Sequence, residues 1–225
     1  MELVAFPAQL KENGFTRLEL CHFHLPSRSD SYIQEFKCSL KESGVVLQTL
    51  LIDEGDITNP DTGARDANWI EGWVESAEQL GAEAARVIAG KQPWTEETSR
   101  RSIEHLRRLA GAKPRIRIEN WFDLLKTPEH VFDILDSLDG EVGLCMDFGN
   151  WSGPDKYRDL AAIAPRAETC HAKAEFFSSG GIEEEDYSKC AALARAANFT
   201  GPYVLVAGNS WQALELQTQF LTAHG

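Results

Sequence analysis

The chain predicts an α/β domain of parallel strands, of the barrel kind, and three observations carry that expectation. Short apolar runs alternate with longer, polar-faced helical ones along the whole length. The strand-like runs end near residues 21, 53, 88, 119, 147, 173 and 206, a spacing of roughly 26 to 35 residues that fits the βαβ unit. No Gly/Ser-rich or low-complexity linker interrupts the pattern, so the 225 residues, 1–225, read as a single domain. A doubly wound open sheet answers the same alternation, and the pattern alone does not choose between the two.

The strands expected are Thr16–His22, Val45–Asp53, Ala84–Ala89, Arg115–Glu119, Val142–Asp147, Ala167–Ala174 and Tyr203–Ala207. Helices are expected over Leu3–Glu12, Ser31–Glu42, Asp66–Leu80, Glu96–Leu109, Pro128–Leu138, Lys156–Ile163, Asp186–Ala197 and Trp211–Ala223. Gly14, Gly44, Gly81, Gly111 and Gly140 each follow a helical stretch and suit a C-terminal cap. Thr127-Pro128 places a capping residue before a proline at the first helical position, where its missing N–H costs nothing.

Composition narrows the partners. Hydrophobic residues make up 43%, ample for a large core, and the formal net charge is -13. Such a surface repels nucleic-acid phosphate and anionic lipid, so neither nucleic acid nor membrane is an expected partner. The apolar runs are far short of a membrane span. Met1 leads straight into Glu2-Leu3-Val4-Ala5-Phe6 with no basic leader. Five cysteines, at 21, 38, 145, 170 and 190, form no CxxC pair. Cys21, Cys145 and Cys170 read as small core hydrophobes, and the odd count points to a reducing, cytoplasmic compartment. No Walker A loop, GxGxxG, HExxH or GxSxG is present, and Gly180-Gly181 is a turn with no phosphate-loop context, so no nucleotide cofactor is expected.

Several strands end in groups that are expensive to bury. Arg115-Ile116-Arg117-Ile118-Glu119-Asn120-Trp121 ends in a carboxylate and an amide, and Val142–Asp147 ends in another carboxylate. His171 and Lys173 stand two apart, on one face of a strand. In a barrel, adjacent strand ends converge above the axis, which would bring Glu119, Asp147 and His171 into one small volume. Two carboxylates and an imidazole suit Mn²⁺, Mg²⁺, Fe²⁺, Co²⁺ or Zn²⁺. Unpaired carboxylates repel one another, and a divalent ion reverses that. The plainer alternative stays open: Glu119 pairs with Arg86 or Arg117, Asp147 caps a loop, and His171 donates to a carbonyl. Arg86 sits inside an apolar strand and needs an acid, with Glu119 on the neighbouring strand the nearest choice. His22 and His24, on one face past the first strand, are either substrate contacts or loop histidines. Asp53-Glu54-Gly55-Asp56 reads as a solvated acidic loop. Trp121 and Trp151 follow strands, where they either shield a pocket or pack in the core.

The stretches Gly14-Phe15-Thr16-Arg17-Leu18-Glu19-Leu20, Leu80-Gly81-Ala82 with Arg86-Val87, Ile118-Glu119-Asn120, Met146-Asp147-Phe148-Gly149-Asn150, His171-Ala172-Lys173 and Gly201-Pro202-Tyr203 occur in an informative order. In these the chain resembles the xylose isomerase-like barrel superfamily of sugar isomerases and epimerases, which also holds the family-two apurinic endonucleases. The resemblance runs from near residue 3 to about residue 220. It implies a TIM (β/α) barrel that lacks its first strand, with seven visible strands and eight helices. It also implies a divalent metal, Mn²⁺ ahead of Mg²⁺, Co²⁺ or Zn²⁺, held by Glu, Asp, His and Glu at four strand ends. The first three fall on Glu119, Asp147 and His171, while the fourth, due near Val206, is absent. Asn150 stands where the superfamily often has a histidine. Glu119 would double as a base, Lys173 would stabilise an oxyanion or supply a proton, and His22, Arg86, Trp121 and Asn150 would contact substrate. The endonuclease branch fits poorly, given six histidines and the acidic balance. The missing strand leaves two open edges, which favours a homo-oligomer.

Two functions follow from this. One is a metal-dependent isomerase or epimerase acting on a sugar or polyhydroxy carbonyl compound. The other is a degenerate, non-catalytic barrel that binds a sugar-like ligand or a partner subunit.

Overall fold

The computed structural model describes residues 2–111, 113–177, 181–206 and 210–223. Ala207, expected at the end of the last strand, and Gly180 lie outside the described residues. A short 3₁₀ turn leads into α1 (Phe6–Glu12), and strand and helix then alternate to the end. The strands are β1 (Arg17–Cys21), β2 (Val46–Ile52), β3 (Ala84–Val87), β4 (Arg115–Glu119), β5 (Gly143–Asp147), β6 (Ala167–Lys173) and β7 (Tyr203–Val206). The helices between and after them are α2 (Asp30–Ser43), α3 (Gly63–Leu80), α4 (Glu96–Ala110), α5 (Pro128–Ser137), α6 (Lys156–Ile163), α7 (Glu184–Ala196) and α8 (Trp211–Ala223). All six neighbouring strand pairs are parallel, in the order β1-β2-β3-β4-β5-β6-β7. The sheet curls into a nearly closed (β/α) barrel, as expected, rather than a doubly wound open sheet.

Strand periodicity divides the side chains into two populations. Leu18 and Leu20, Leu50 and Ile52, Ala85 and Val87, Ile116 and Ile118, Leu144 and Met146, and Cys170 and Ala172 join the apolar core that the helices cover. The alternate positions carry Arg17, Glu19, Thr49, Arg86, Arg117, Glu119, Asp147 and His171, and their hydrogen bonds and ion pairs cross from strand to strand. The barrel interior is therefore polar and the hydrophobic core is the layer outside it.

Two irregularities in register enlarge the polar interior. The β1–β2 ladder slips opposite Gln48, and the β5–β6 ladder slips opposite Glu168. An extra residue in a ladder re-aims its side chain. Gln48 bridges Arg17 and Glu19. Glu168 is gripped by Arg115 at 2.6 Å and Arg117 at 3.0 Å, toward the amino ends of the strands.

The ring is open between β1 and β7, which make no ladder with each other among the described residues. A cleft of about 1340 Å³ runs along this seam, with Leu18, Leu20, Tyr203 and Leu205 on its strands and Phe6 and Leu214 from the flanking helices. This is the place where the eighth strand of a full barrel would stand.

Local signals behave as expected with two corrections. Gly44 and Gly81 adopt left-handed caps at φ 65° and 76°, where a side chain would be strained. Gly111 caps α4 in the right-handed region, at φ -70°, so no glycine is required there. Thr127 is extended before Pro128, but its side chain makes no capping hydrogen bond.

The Glu168 clamp generates a prediction. Burial raises the pKa of this carboxyl, but its hydrogen bonds to Arg115 and Arg117 and their charges outweigh that and hold it below 4.5. Its stabilising effect is then full above pH 4.5 and is lost as pH falls through the lowered native value. Chemical denaturation of Glu168→Gln should show reduced stability at neutral pH and a shallower loss between neutral and acid pH than the parent chain.

Candidate functional site

The carboxyl ends of the strands gather a cluster whose members come from six different elements. Glu119 closes β4, Asp147 closes β5, and His171 lies opposite Asp147 in the β5–β6 register. All three are nearly inaccessible to solvent. The His171 ring sits between two sets of acids. Its Nδ1 lies 3.4 Å from Glu119 Oε2 and 3.6 Å from Asp147 Oδ2, while its Nε2 lies 2.7 Å from Glu19 Oε2 on β1. The three residues expected to meet do meet.

Each acid is held by its own partners. Asp147 Oδ1 accepts from the backbone N–H of Gly149 at 2.6 Å and of Asn150 at 2.9 Å, leaving Oδ2 toward His171. The Asn120 side chain brackets the Asp147 backbone, accepting from its N–H at 2.7 Å and donating to its carbonyl at 3.1 Å. Glu119 Oε1 accepts from the Asn150 side-chain amide at 2.5 Å. Glu119 Oε2 has no hydrogen-bond partner among the described residues, although Arg86 Nε stands 3.0 Å away. Arg86 spans Glu119 and Asp53, the latter at 2.5 Å, and is itself buried.

Charge decides the protonation states. Burial alone would raise the Glu119 pKa; the positive charges of Arg86 and then His171 bring it below the ordinary carboxylate value. Glu19 behaves alike, burial being outweighed by His171, Thr49 and Gln48. Burial disfavours a charged imidazole, yet the surrounding Cys145, when ionised, and Glu119, with Asp147 close by, raise the His171 pKa well above its usual value. Burial pushes the Cys145 thiol up, so at neutral pH the carboxylates carry that effect. Among the described residues, the acids Glu19, Asp53, Glu119 and Asp147 are gathered around one guanidinium, Arg86, and one imidazole, His171, so negative charge is in excess at this point.

That excess, a Glu119 Oε2 with no well-aligned hydrogen bond among the described residues, and the donor chemistry fit a divalent cation near His171 Nδ1, which Glu119 and Asp147 face at 3.4 and 3.6 Å. Among the described residues, the set whose ligand atoms all lie within 4.8 Å of one another is Glu119, Cys145 and His171, with Asp147 standing beside it. Cys145 was expected in the apolar core. It occupies an interior position of β5 instead, because residues 143, 145 and 147 share the face of Asp147.

Other expectations are corrected. His22 and His24 do not act as a pair: His22 is buried, and His24 is exposed. The His22 ring meets Trp69 and Trp73 edge-on, at 5.3 and 5.1 Å, and its Nδ1 accepts from the Asp53 N–H at 3.3 Å. It is packed between two indoles and the Asp53 backbone. The Asp53–Asp56 segment is not a solvated loop. Asp53 pairs with Arg86, and buried Asp56 accepts from Thr58, Lys91 and Gln92. Lys173 is exposed, its stem lying over Gly149, where an added Cβ would meet the lysine Cδ at 2.7 Å. Trp121 lies 5.4 Å from the Arg86 guanidinium, and the next residue, Phe122, holds an uncommon φ of 59°. Trp151 is buried, donating to the Leu125 carbonyl at 3.0 Å.

Glu19 is the site residue that sequence reasoning missed. Its signal was present: a carboxylate between Leu18 and Leu20 in a buried strand needs a partner as much as Arg86 does. On β7, Val204 stands opposite His171 and Val206 opposite Lys173, so the fourth acidic position is apolar in the structure too.

A sequence profile described as xylose isomerase-like TIM barrel matches residues 7–217. No curated protein matches. Among solved structures, the chain is similar to a xylose isomerase-like TIM barrel protein from Mycobacterium smegmatis in complex with magnesium, at 19% identity and TM-score 0.72, covering 98% of this chain and 88% of that one. It is similar to D-psicose 3-epimerase from Clostridium cellulolyticum H10, at 15% identity and TM-score 0.72, over 100% and 91% of the two chains. It is also similar to a probable 3-DHS dehydratase involved in petrobactin synthesis in Bacillus anthracis, at 16% identity and TM-score 0.76, over 99% and 94%. These structural likenesses speak for the fold. With the profile spanning nearly the whole sequence, the chain belongs to the xylose isomerase-like TIM barrel family.

Proposed function

We propose that this protein is a divalent-cation-dependent isomerase or epimerase of a sugar or related polyhydroxy carbonyl compound. The observation that carries the reading is the buried Glu119 Oε2, which accepts no well-aligned hydrogen bond among the described residues and faces His171 Nδ1 at 3.4 Å beside Asp147, with Arg86 as its ion-pair partner at 3.0 Å. Epimerases among the similar structures, and one relative in complex with magnesium, support it. Glu119, Asp147 and His171 would hold the ion, Mn²⁺ first and Mg²⁺, Co²⁺ or Zn²⁺ otherwise. When bound, the ion supplies Lewis acidity toward a substrate carbonyl.

The chain's own residues divide the remaining work. Arg86 keeps Glu119 ionised, which suits a ligand and makes it a weak base. Proton handling then falls to Lys173, the one remaining candidate from the sequence, at the exposed end of β6. Its ammonium would stabilise oxyanion charge or deliver a proton. Asn150 fixes Glu119, and Trp121 over Arg86 offers a face for the apolar side of a sugar ring. The homo-oligomer belongs to the same reading, with the open edges of β1 and β7 as the surfaces that associate. No described helix is long and apolar enough to cross a membrane. The cytoplasmic assignment rests on cysteine usage.

A second reading, a non-catalytic barrel that binds a sugar-like ligand or a partner subunit, is favoured by one observation: β7 presents Val204 and Val206 where a fourth acid would complete the ligand set.

Elemental analysis of protein purified without chelator separates the two. One divalent ion per chain is expected, lost in His171→Ala and Asp147→Asn; metal-free parent protein with activity intact would sink the cation reading. Lys173→Ala should leave metal content unchanged and lower kcat by about 10²-fold or more on the sugar that the parent converts, the usual scale for a lost acid–base group. An unaltered kcat removes Lys173 from the mechanism.

A further inference from the structure

Every nitrogen of the His171 ring faces an acid, but the acids are of two kinds. Nδ1 points at Glu119 and Asp147, at 3.4 and 3.6 Å, too long for either to hold the ring by a hydrogen bond. Nε2 meets Glu19 Oε2 at 2.7 Å, a hydrogen-bond distance. A carboxylate can only accept, so the proton of this bond belongs to Nε2. The lone pair of the neutral ring is thereby assigned to Nδ1, the nitrogen that looks at the other two acids.

Glu19 is built to stay in that position. Its Oε1 accepts from Gln48 Nε2 at 2.9 Å and from Thr49 Oγ1 at 2.7 Å, which leaves Oε2 for the histidine. Gln48 is in turn held by Arg17 at 2.6 Å, and Arg117 lies 3.4 Å from Thr49 Oγ1. The side chain is 4% exposed, so water does not compete for its oxygens. The register slip at Gln48 serves this arrangement, because it lets two consecutive β2 residues address the same carboxylate.

We infer that Glu19 is a positioning residue for the cation site: it fixes the His171 ring and its tautomer so that Nδ1 is the free ligand atom shared with Glu119 and Asp147. The inference rests on the cation reading above for the identity of what Nδ1 meets, but not for the orientation of the ring. Glu19 itself stands on the far side of the imidazole and does not replace the acid missing from β7. Its effect on the ion passes through His171, the carboxylate–histidine–metal arrangement in which the outer partner raises ligand basicity and fixes ring angle.

Two measurements on the full chain test this, one without metal. Nitrogen-15 NMR of the metal-free protein, followed to a pH at which the ring is neutral, should show a slowly exchanging proton on His171 Nε2 with Nδ1 unprotonated, and this preference should be lost in Glu19→Ala. An Nε2 that carries no proton, or a signal untouched by the substitution, overturns the inference whatever the metal does. Titration calorimetry with Mn²⁺ alone should then show affinity falling about 10- to 100-fold in Glu19→Ala, the scale of lost outer-shell partners. The isosteric Glu19→Gln, which keeps an acceptor oxygen but no charge, should lie between, and it keeps the test open if the alanine variant does not fold. Parent-like Mn²⁺ affinity in the variants overturns the inference and leaves the cation site standing. Absence of Mn²⁺ binding in the parent fails the cation reading, and the Nε2 proton then decides the role of Glu19 by itself.

Discussion

Three buried carboxylates, Glu19, Glu119 and Asp147, share the inside of one ring of strands with the half-buried Asp53 at its rim, and their mutual repulsion is the constraint that organises the rest. Burying an unpaired charge costs several kcal/mol, so each acid must find positive charge or donors nearby. Arg86 answers two of them by bridging Glu119 and Asp53. The backbone of Gly149 and Asn150 answers Asp147, and Gln48 with Thr49 answers Glu19. His171 stands at the centre, within reach of three acids at once. What these partners leave over is negative charge at one point, and that remainder is the physical basis for a cation site.

The fold makes this economy of charge workable. In a parallel barrel the helices seal the outside of every strand, so the apolar stabilisation comes from the outer layer and the inner positions are free to be polar. The two register slips exploit that freedom at opposite sides of the ring. One delivers Gln48 to Glu19 and the other delivers Glu168 to Arg115 and Arg117. The clamp near the amino ends is structural, and the cluster at the carboxyl ends is the part with chemistry. A position therefore has a different meaning according to its height in the barrel, even where the residue type is the same.

The open seam is the other consequence of the sequence. Among the described residues, which form seven strands, β1 and β7 each keep an edge without a ladder, and the cleft between them is lined by apolar side chains from both strands and both flanking helices. Glu19 belongs to one of these edge strands, so the ring of His171 is supported from the least enclosed side of the barrel. The missing fourth acid falls on the other edge strand, at Val206. Both departures from a complete barrel thus meet at the same place, beside the candidate site.

Periodicity by itself determined the seven strands, the helices between them and the faces that pack, because burial of apolar surface acts on each strand separately and leaves its mark in local spacing. It also made Arg86, Glu119, Asp147 and His171 legible, since a charged group at a buried strand end is conspicuous one residue at a time. The first strand to be read correctly as apolar hid Glu19, whose partner lies 152 residues away. Asp53 and Asp56 read as solvated for a related reason: which side of a strand or loop is inside depends on closure of the ring. Only the tertiary structure could decide how the acids share their partners, because that depends on distances across the barrel, and distance across a barrel is written in no single segment of the chain.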